Sequence, residues 1–162
     1  MNTPTYAEGF PPVFDDMSRV LILGSFPSVK SREVSFYYGN KQNRFWRTVC
    51  GFFGEEVPQS VEGKRAFLLR RGIALWDVII SCEIVGSSDA SIRNETVADI
   101  PALIQNSQIQ KILCNGTKSF SLLAEKFPQL LPMTVKLPST SPANPRFLKE
   151  AWVGELASIF GE

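Results

Sequence analysis

Apolar runs and one-sided apolar spacings take turns along the chain. Val20-Leu21-Ile22-Leu23 is apolar without a break and stops at Gly24. A short run of this kind, bounded by turn residues, predicts a strand buried on both faces. Gly24 permits a sharp turn or the close approach of a ligand, and Pro27 forbids a return to strand pairing. Residues 29–42 read as a long loop carrying Phe36, Tyr37 and Tyr38, aromatics that a plain connector does not need. Phe45, Trp46, Val49, Cys50 and Phe53 then fall on one helical face, with Asn43 placed to cap the helix and Gly54 to end it. A second helix spans 61–71 and closes at Gly72. Residues 73–80 predict a second buried strand, interrupted by the carboxylate of Asp77, and 81–95 a polar loop. Beyond it come a helix over 99–106, a strand over 110–114 that ends in Asn115-Gly116, a helix over 117–127 and a strand over 133–137. That last strand runs into Pro138-Ser139-Thr140-Ser141-Pro142-Ala143-Asn144-Pro145. Phe147, Ala151, Trp152, Leu156, Ile159 and Phe160 recur at helical spacing to the end.

This alternation of strands and helices predicts an α/β fold of three layers: a central, mostly parallel four-stranded sheet flanked by helices. Residues 1–18 read as an irregular N-terminal arm pinned by Phe10 and Phe14. With no repeat or linker, residues 1–162 are expected to form a single domain.

Composition narrows the chemistry. No apolar run is long enough to cross a bilayer, and the N-terminus lacks the basic start and apolar middle of a secretory signal. Cytoplasmic residence is the expectation. Histidine is absent, which removes Ser–His–Asp and Cys–His catalysis and imidazole metal sites. Cys50, Cys82 and Cys114 form no CxxC pair and read as small core residues, so a disulfide framework, a zinc site or an iron–sulfur cluster is not expected. The net charge is +1; any nucleic-acid footprint must be a local patch, not a global field.

Four loops leave the carboxyl ends of the four strands, the edge where open α/β sheets bind ligands. They carry polar groups that local folding does not require: Ser25 and Ser28 with the later Asn43, then Asp77 with Ser87 to Asp89, then Asn115, then Ser139, Thr140, Ser141 and Asn144.

The ordered set Gly24-Ser25-Phe26-Pro27-Ser28, Tyr37-Tyr38-Gly39-Asn40, Asn43-Arg44-Phe45-Trp46, Leu75-Trp76-Asp77-Val78-Ile79, Gly86-Ser87-Ser88-Asp89 and Ser139-Thr140-Ser141-Pro142-Ala143-Asn144 resembles the uracil-DNA glycosylase superfamily. Within it, the resemblance is to the hypoxanthine-DNA glycosylase (DNA-deoxyinosine glycosylase) branch, from about Gly9 to the last helix. It implies a cofactor-free, monofunctional glycosylase that removes a deaminated base, hypoxanthine first, from double-stranded DNA in base excision repair, as a monomer. The resemblance also assigns places. Gly24, Ser25 and Phe26 stand where the family lines its base pocket. The water-activating Asp or Asn of that motif is missing here, so Asn43, with Asn40 as runner-up, takes the catalytic place beside Ser25. Asp77 stands where the family reads the base edge, and Ser139 where it usually carries a histidine. Asn115 joins the substrate set. Ser28, Arg44 and Ser141 match contacts to phosphate, while Ala143, Asn144 and Arg146 match the loop that pushes into the duplex.

The chemistry agrees with that implication. Breaking a glycosidic bond through a sugar cation needs neither a covalent nucleophile nor a metal. It needs an extruded nucleotide, a face such as Phe26 for stacking and an amide to orient water. Two other readings stay open: a mismatch-specific uracil or thymine glycosylase, and a catalytically silent nucleic-acid-binding module. Asn43 equally fits a plain helix cap, and Asp77 a buried carboxylate paired with an amide.

Overall fold

The computed structural model describes residues 3–161; Met1, Asn2 and Glu162 lie outside the described residues. Four strands, β2 (Val20–Gly24), β3 (Ile73–Asp77), β6 (Lys111–Asn115) and β7 (Thr134–Leu137), form a parallel sheet in the order β3-β2-β6-β7. The expected three-layer α/β architecture is present.

Alternation along β2 sets the layers. Val20 and Ile22 face one way, into a core completed by α2 (Phe45–Phe52), α3 (Val61–Arg71) and α6 (Lys149–Phe160). Leu21 and Leu23 face the other way, onto α4 (Ile100–Gln105) and α5 (Thr117–Lys126). With side chains buried on both faces, the strand needs no polar alternation, and that is why it reads as a continuous apolar run.

Three features differ from the sequence expectation. First, the apolar run over 73–80 is two strands, not one. The chain leaves β3 at Asp77 and, after Val78, starts β4 (Ile79–Ile84), the central strand of a different, three-stranded antiparallel sheet. Ile79, Cys82 and Ile84 are buried while Ile80 and Glu83 face solvent, so the polar residues over 81–84 are the outer face of a strand. Two register shifts along β4 bend it. Its partner β5 (Arg93–Val97) shows almost no burial, and a 3-10 turn, Asp89–Ser91, lies between them.

Second, the N-terminal arm contains a strand, β1 (Thr5–Glu8), paired with β4. The arm then forms a two-way bridge between Val13 and Leu75 along the outer edge of β3, both N–H···O bonds being 2.9 Å. Phe10 packs edge-on to Tyr37, whose hydroxyl donates to the Pro11 carbonyl at 2.8 Å.

Third, the long loop opens with a short helix, α1 (Val29–Val34), capped by Ser28, whose hydroxyl accepts from the Ser31 amide at 3.1 Å. The aromatics that follow are anchored on α2. Phe36 stacks on Trp46, Tyr38 stacks on Phe45 with centroids 4.2 Å apart, and the Trp46 indole donates to the Tyr37 carbonyl at 3.0 Å.

Candidate active site

The carboxyl ends of the four parallel strands open into a cleft of about 330 Å³. Gly24, Ser25, Phe26 and Ser28 come to it from β2, Asn40 and Asn43 from the approach to α2, and Asp77 from β3. Asn115 comes from β6, and Ser139, Ser141 and Ala143 from the loop after β7. Eleven of the fourteen residues singled out from the sequence thus share one cleft. Tyr37, Tyr38, Ser87 and Asp89 line it too.

Asp77 sits opposite Gly24 in the β2–β3 register and is 5 % exposed. Among the described residues its Oδ2 has no hydrogen-bond partner. Burial, reinforced by the charge of Asp89, pushes its carboxyl up to about 7, while the backbone of Gly24 works the other way. A β-carbon on Gly24 would lie 2.5 Å from Asp77 Oδ1 and 3.3 Å from the Tyr38 hydroxyl. Only glycine leaves room for these two polar groups to converge.

Asn43 Oδ1 accepts from the Phe45 amide at 2.9 Å, which closes an Asx turn into α2; the N-cap itself is Arg44, not Asn43 as expected. An amide oxygen has a second lone pair and the Asn43 NH2 keeps its donors, which leaves Asn43 able to hold water as well. Asn40 Oδ1 accepts from the Gln42 amide at 2.9 Å. Ser25 donates to Asp89 Oδ1 at 2.9 Å. Asp89 is exposed on its outer side, and partial burial raises its carboxyl, opposed by the Ser25 bond and by Lys118. The sequence places Ser87 to Asp89 on the same edge as Asp77 but assigns Asp89 no role; its bond to Ser25 depends on the β4–β5 excursion that the sequence does not reveal.

The loop after β7 is held from three sides. Asn115 uses both ends of its amide on Thr140, accepting from the backbone N–H and donating to the hydroxyl, each at 2.9 Å. The Trp152 indole donates to the Pro138 carbonyl at 2.8 Å. Arg44 donates from its backbone to the Thr140 carbonyl, and from its guanidinium to the carbonyls of Ser141 and Asn144, while stacking over Phe147 at 4.5 Å. Arg44, expected at a phosphate, is therefore turned inward as the strut of this loop. Asn144 is also internal, donating to the Ser139 carbonyl at 2.9 Å. Gly116, at φ +101°, lets the turn after β6 pass Ser139, where a β-carbon would meet the Ser139 Cβ at 3.2 Å. Arg146 lies exposed beyond the cleft wall. A second hollow of about 210 Å³ adjoins Tyr38, Asn40 and Asn43 and is bordered by Lys41, Arg47 and Lys64.

A parallel sheet with a polar cleft at its carboxyl edge defines an α/β protein of the open-sheet, ligand-binding class, and comparison with known proteins gives the family. Residues 11–155 match the Uracil DNA glycosylase superfamily, and the chain belongs to it. It is 38% identical over 146 residues to a hypoxanthine DNA glycosylase of Methanosarcina acetivorans, covering 87% of this chain and 90% of that one. A hypoxanthine DNA glycosylase of Methanosarcina barkeri is 36% identical over 147 residues, covering 88% and 90%. A solution NMR structure from Methanosarcina acetivorans, described as a candidate uracil DNA glycosylase, superposes with a TM-score of 0.79 at 36% identity over 97% of this chain and 98% of that one. No helix among the described residues is long and apolar enough to cross a membrane.

Proposed function

We propose that this protein is a monofunctional DNA glycosylase that extrudes a deaminated nucleotide from duplex DNA and hydrolyses its N-glycosidic bond, with hypoxanthine as the base removed. One observation carries the reading: a carboxylate, Asp77, lies buried and half unpartnered in a cleft large enough for a nucleobase. An ionised carboxylate is an acceptor, and N1 of hypoxanthine carries the hydrogen it needs. Adenine presents a bare lone pair at N1 and is repelled. The two relatives named hypoxanthine DNA glycosylase support the same substrate.

The other roles follow from position. Phe26, in the cleft wall, offers its face to the base. Asn43 orients the water. The water oxygen bonds to C1′ as the C–N bond breaks, the base leaves with the electron pair, and one proton of the water is lost to solvent. The serines of the cleft rim, Ser28 and Ser141, lie toward the phosphates with Arg146, and Lys41, Arg47 and Lys64 extend that cationic border. Residues 143–147 press into the duplex. The cleft is complete within one chain, which supports a monomer, and the three free, buried cysteines fit a reducing cytoplasm.

The test uses labelled duplexes containing deoxyinosine, deoxyuridine or deoxyxanthosine, incubated with the protein and then treated with alkali. Strand breaks at deoxyinosine are expected. Uracil also sets an N–H beside a carbonyl, so breaks at deoxyuridine alone would move the assignment to a uracil glycosylase. Binding without breaks would leave a silent DNA-binding protein.

A further inference from the structure

Tyr38 carries a second unpartnered polar atom in the same place. Its hydroxyl is buried and, among the described residues, has no hydrogen-bond partner. Leaving such a group unsatisfied is destabilising, and the residue also holds a left-handed backbone, φ +54°, which a tyrosine adopts at a further cost. Packing keeps it there: the ring lies on Phe45 at 4.2 Å. The hydroxyl and Asp77 Oδ1 both lie within 3.3 Å of the point that a Gly24 β-carbon would occupy. Burial and the charge of Asp77 raise the phenol above its ordinary value, opposed by the Asn115 side chain beside it, so it remains protonated at neutral pH.

From this pairing we infer that Tyr38 is a specificity-determining residue which donates its hydroxyl hydrogen to O6 of the flipped base while Asp77 accepts the adjacent N1–H. The inference rests on the functional reading above and deepens it. A buried donor beside a buried acceptor matches one edge pattern, a carbonyl next to an N–H. Hypoxanthine, xanthine and uracil present that pattern. Adenine and cytosine present the reverse, an amino group next to a bare ring nitrogen, and would leave both protein groups facing their own kind. Guanine shares the pattern, and its discrimination falls to the greater cost of extruding a fully paired base. As the C–N bond breaks, negative charge spreads onto O6, so a fixed donor there is worth more in the transition state than in the ground state.

The experiment is a cycle between protein and substrate. Single-turnover excision is measured for wild type and Tyr38→Phe on duplexes carrying deoxyinosine or its 6-thio analogue, whose sulfur is a poor acceptor. Tyr38→Phe keeps the ring on Phe45 and removes only the orphan hydroxyl, so its melting temperature should hold or rise. Deoxyinosine excision should fall about 10- to 100-fold. The preference of wild type for oxygen over sulfur should shrink about tenfold or more in the variant. Equal preferences in the two folded proteins overturn the role of Tyr38 and leave the glycosylase reading standing. A folded wild type that cuts neither substrate overturns both. Should Tyr38→Phe fail to fold, calorimetry on wild type carries the test: free hypoxanthine should bind about tenfold more tightly than free 6-mercaptopurine, and equal affinities overturn the inference.

Discussion

Gly24 and Asp77 face each other across the β2–β3 ladder so closely that a β-carbon on Gly24 would stand 2.5 Å from the Asp77 carboxylate. The carboxylate tip, not the backbone, is what would have to yield. Gly24→Ala is therefore expected to fold while turning Asp77 away from the base. Misplacement on this scale costs about 10²-fold in rate. Single-turnover deoxyinosine excision with a parallel thermal melt checks it; a folded variant with wild-type rate would remove Asp77 from the base-reading role.

The buried carboxyl also makes stability depend on pH. Asp77 is raised to about 7 by desolvation, with Asp89 adding to the shift, whereas an unfolded aspartate titrates at about 3.9. A raised folded value favours the native state fully below about pH 4. That contribution fades as the pH climbs to about 7 and then stays constant. Between pH 5 and pH 8 wild type should lose about 2–3 kcal/mol that Asp77→Asn does not lose, read from urea melts. Excision should climb toward pH 7 as Asp77 ionises and becomes a pure acceptor, and this limb should flatten in Asp77→Asn. A variant that keeps the wild-type profile would assign the titration to another group.

Asn43 has two separable jobs. Asn43→Ala loses the bond to the Phe45 amide that leads the chain into α2, about 0.5–1.5 kcal/mol, and is expected to abolish base release. Asn43→Ser keeps an oxygen for that bond, so its stability should stay near wild type while excision still fails. Full activity in the serine variant would reduce Asn43 to a turn residue and move water positioning to Asn40 or to the Ser25–Asp89 pair.

Arg44 and Arg146 should differ in kind. Binding to a deoxyinosine duplex is expected to weaken steeply as salt rises, because phosphate neutralisation releases counterions. Arg146→Ala should lower the slope of log K against log salt by about one. Arg44→Ala should leave the slope alone and instead lower thermal stability and excision, since the guanidinium bonds to the carbonyls of Thr140, Ser141 and Asn144 are lost. A reduced slope for Arg44→Ala would place its charge on a phosphate after all.

The parallel sheet was legible because β2 and the middle of β6, Ile112 to Cys114, are buried on both faces and therefore apolar. The antiparallel sheet was not. In β1 only Ala7 turns inward, and β5, Arg-Asn-Glu-Thr-Val, exposes nearly every side chain, so neither carries a period for the eye to find. Most of the cleft could be read from the Gly and Ser residues that follow strand ends. Tyr38 could not, since spacing does not tell whether a phenol buried by packing also finds a partner. Nor does sequence reveal that the cation of Arg44 points into the loop after β7, where carbonyls with no helical or ladder partner collect.

The bridge between Val13 and Leu75 has a consequence for the behaviour of many copies together. A parallel sheet ends in two rows of free backbone groups, and such rows are templates for adding strands from other molecules. Here the arm occupies the β3 side, and the β7 side is only four residues long, with Lys136 exposed. Removal of the arm through Val13 would uncover the apolar β3 edge, and the protein would then be prone to aggregate at concentrations where the intact chain stays dispersed.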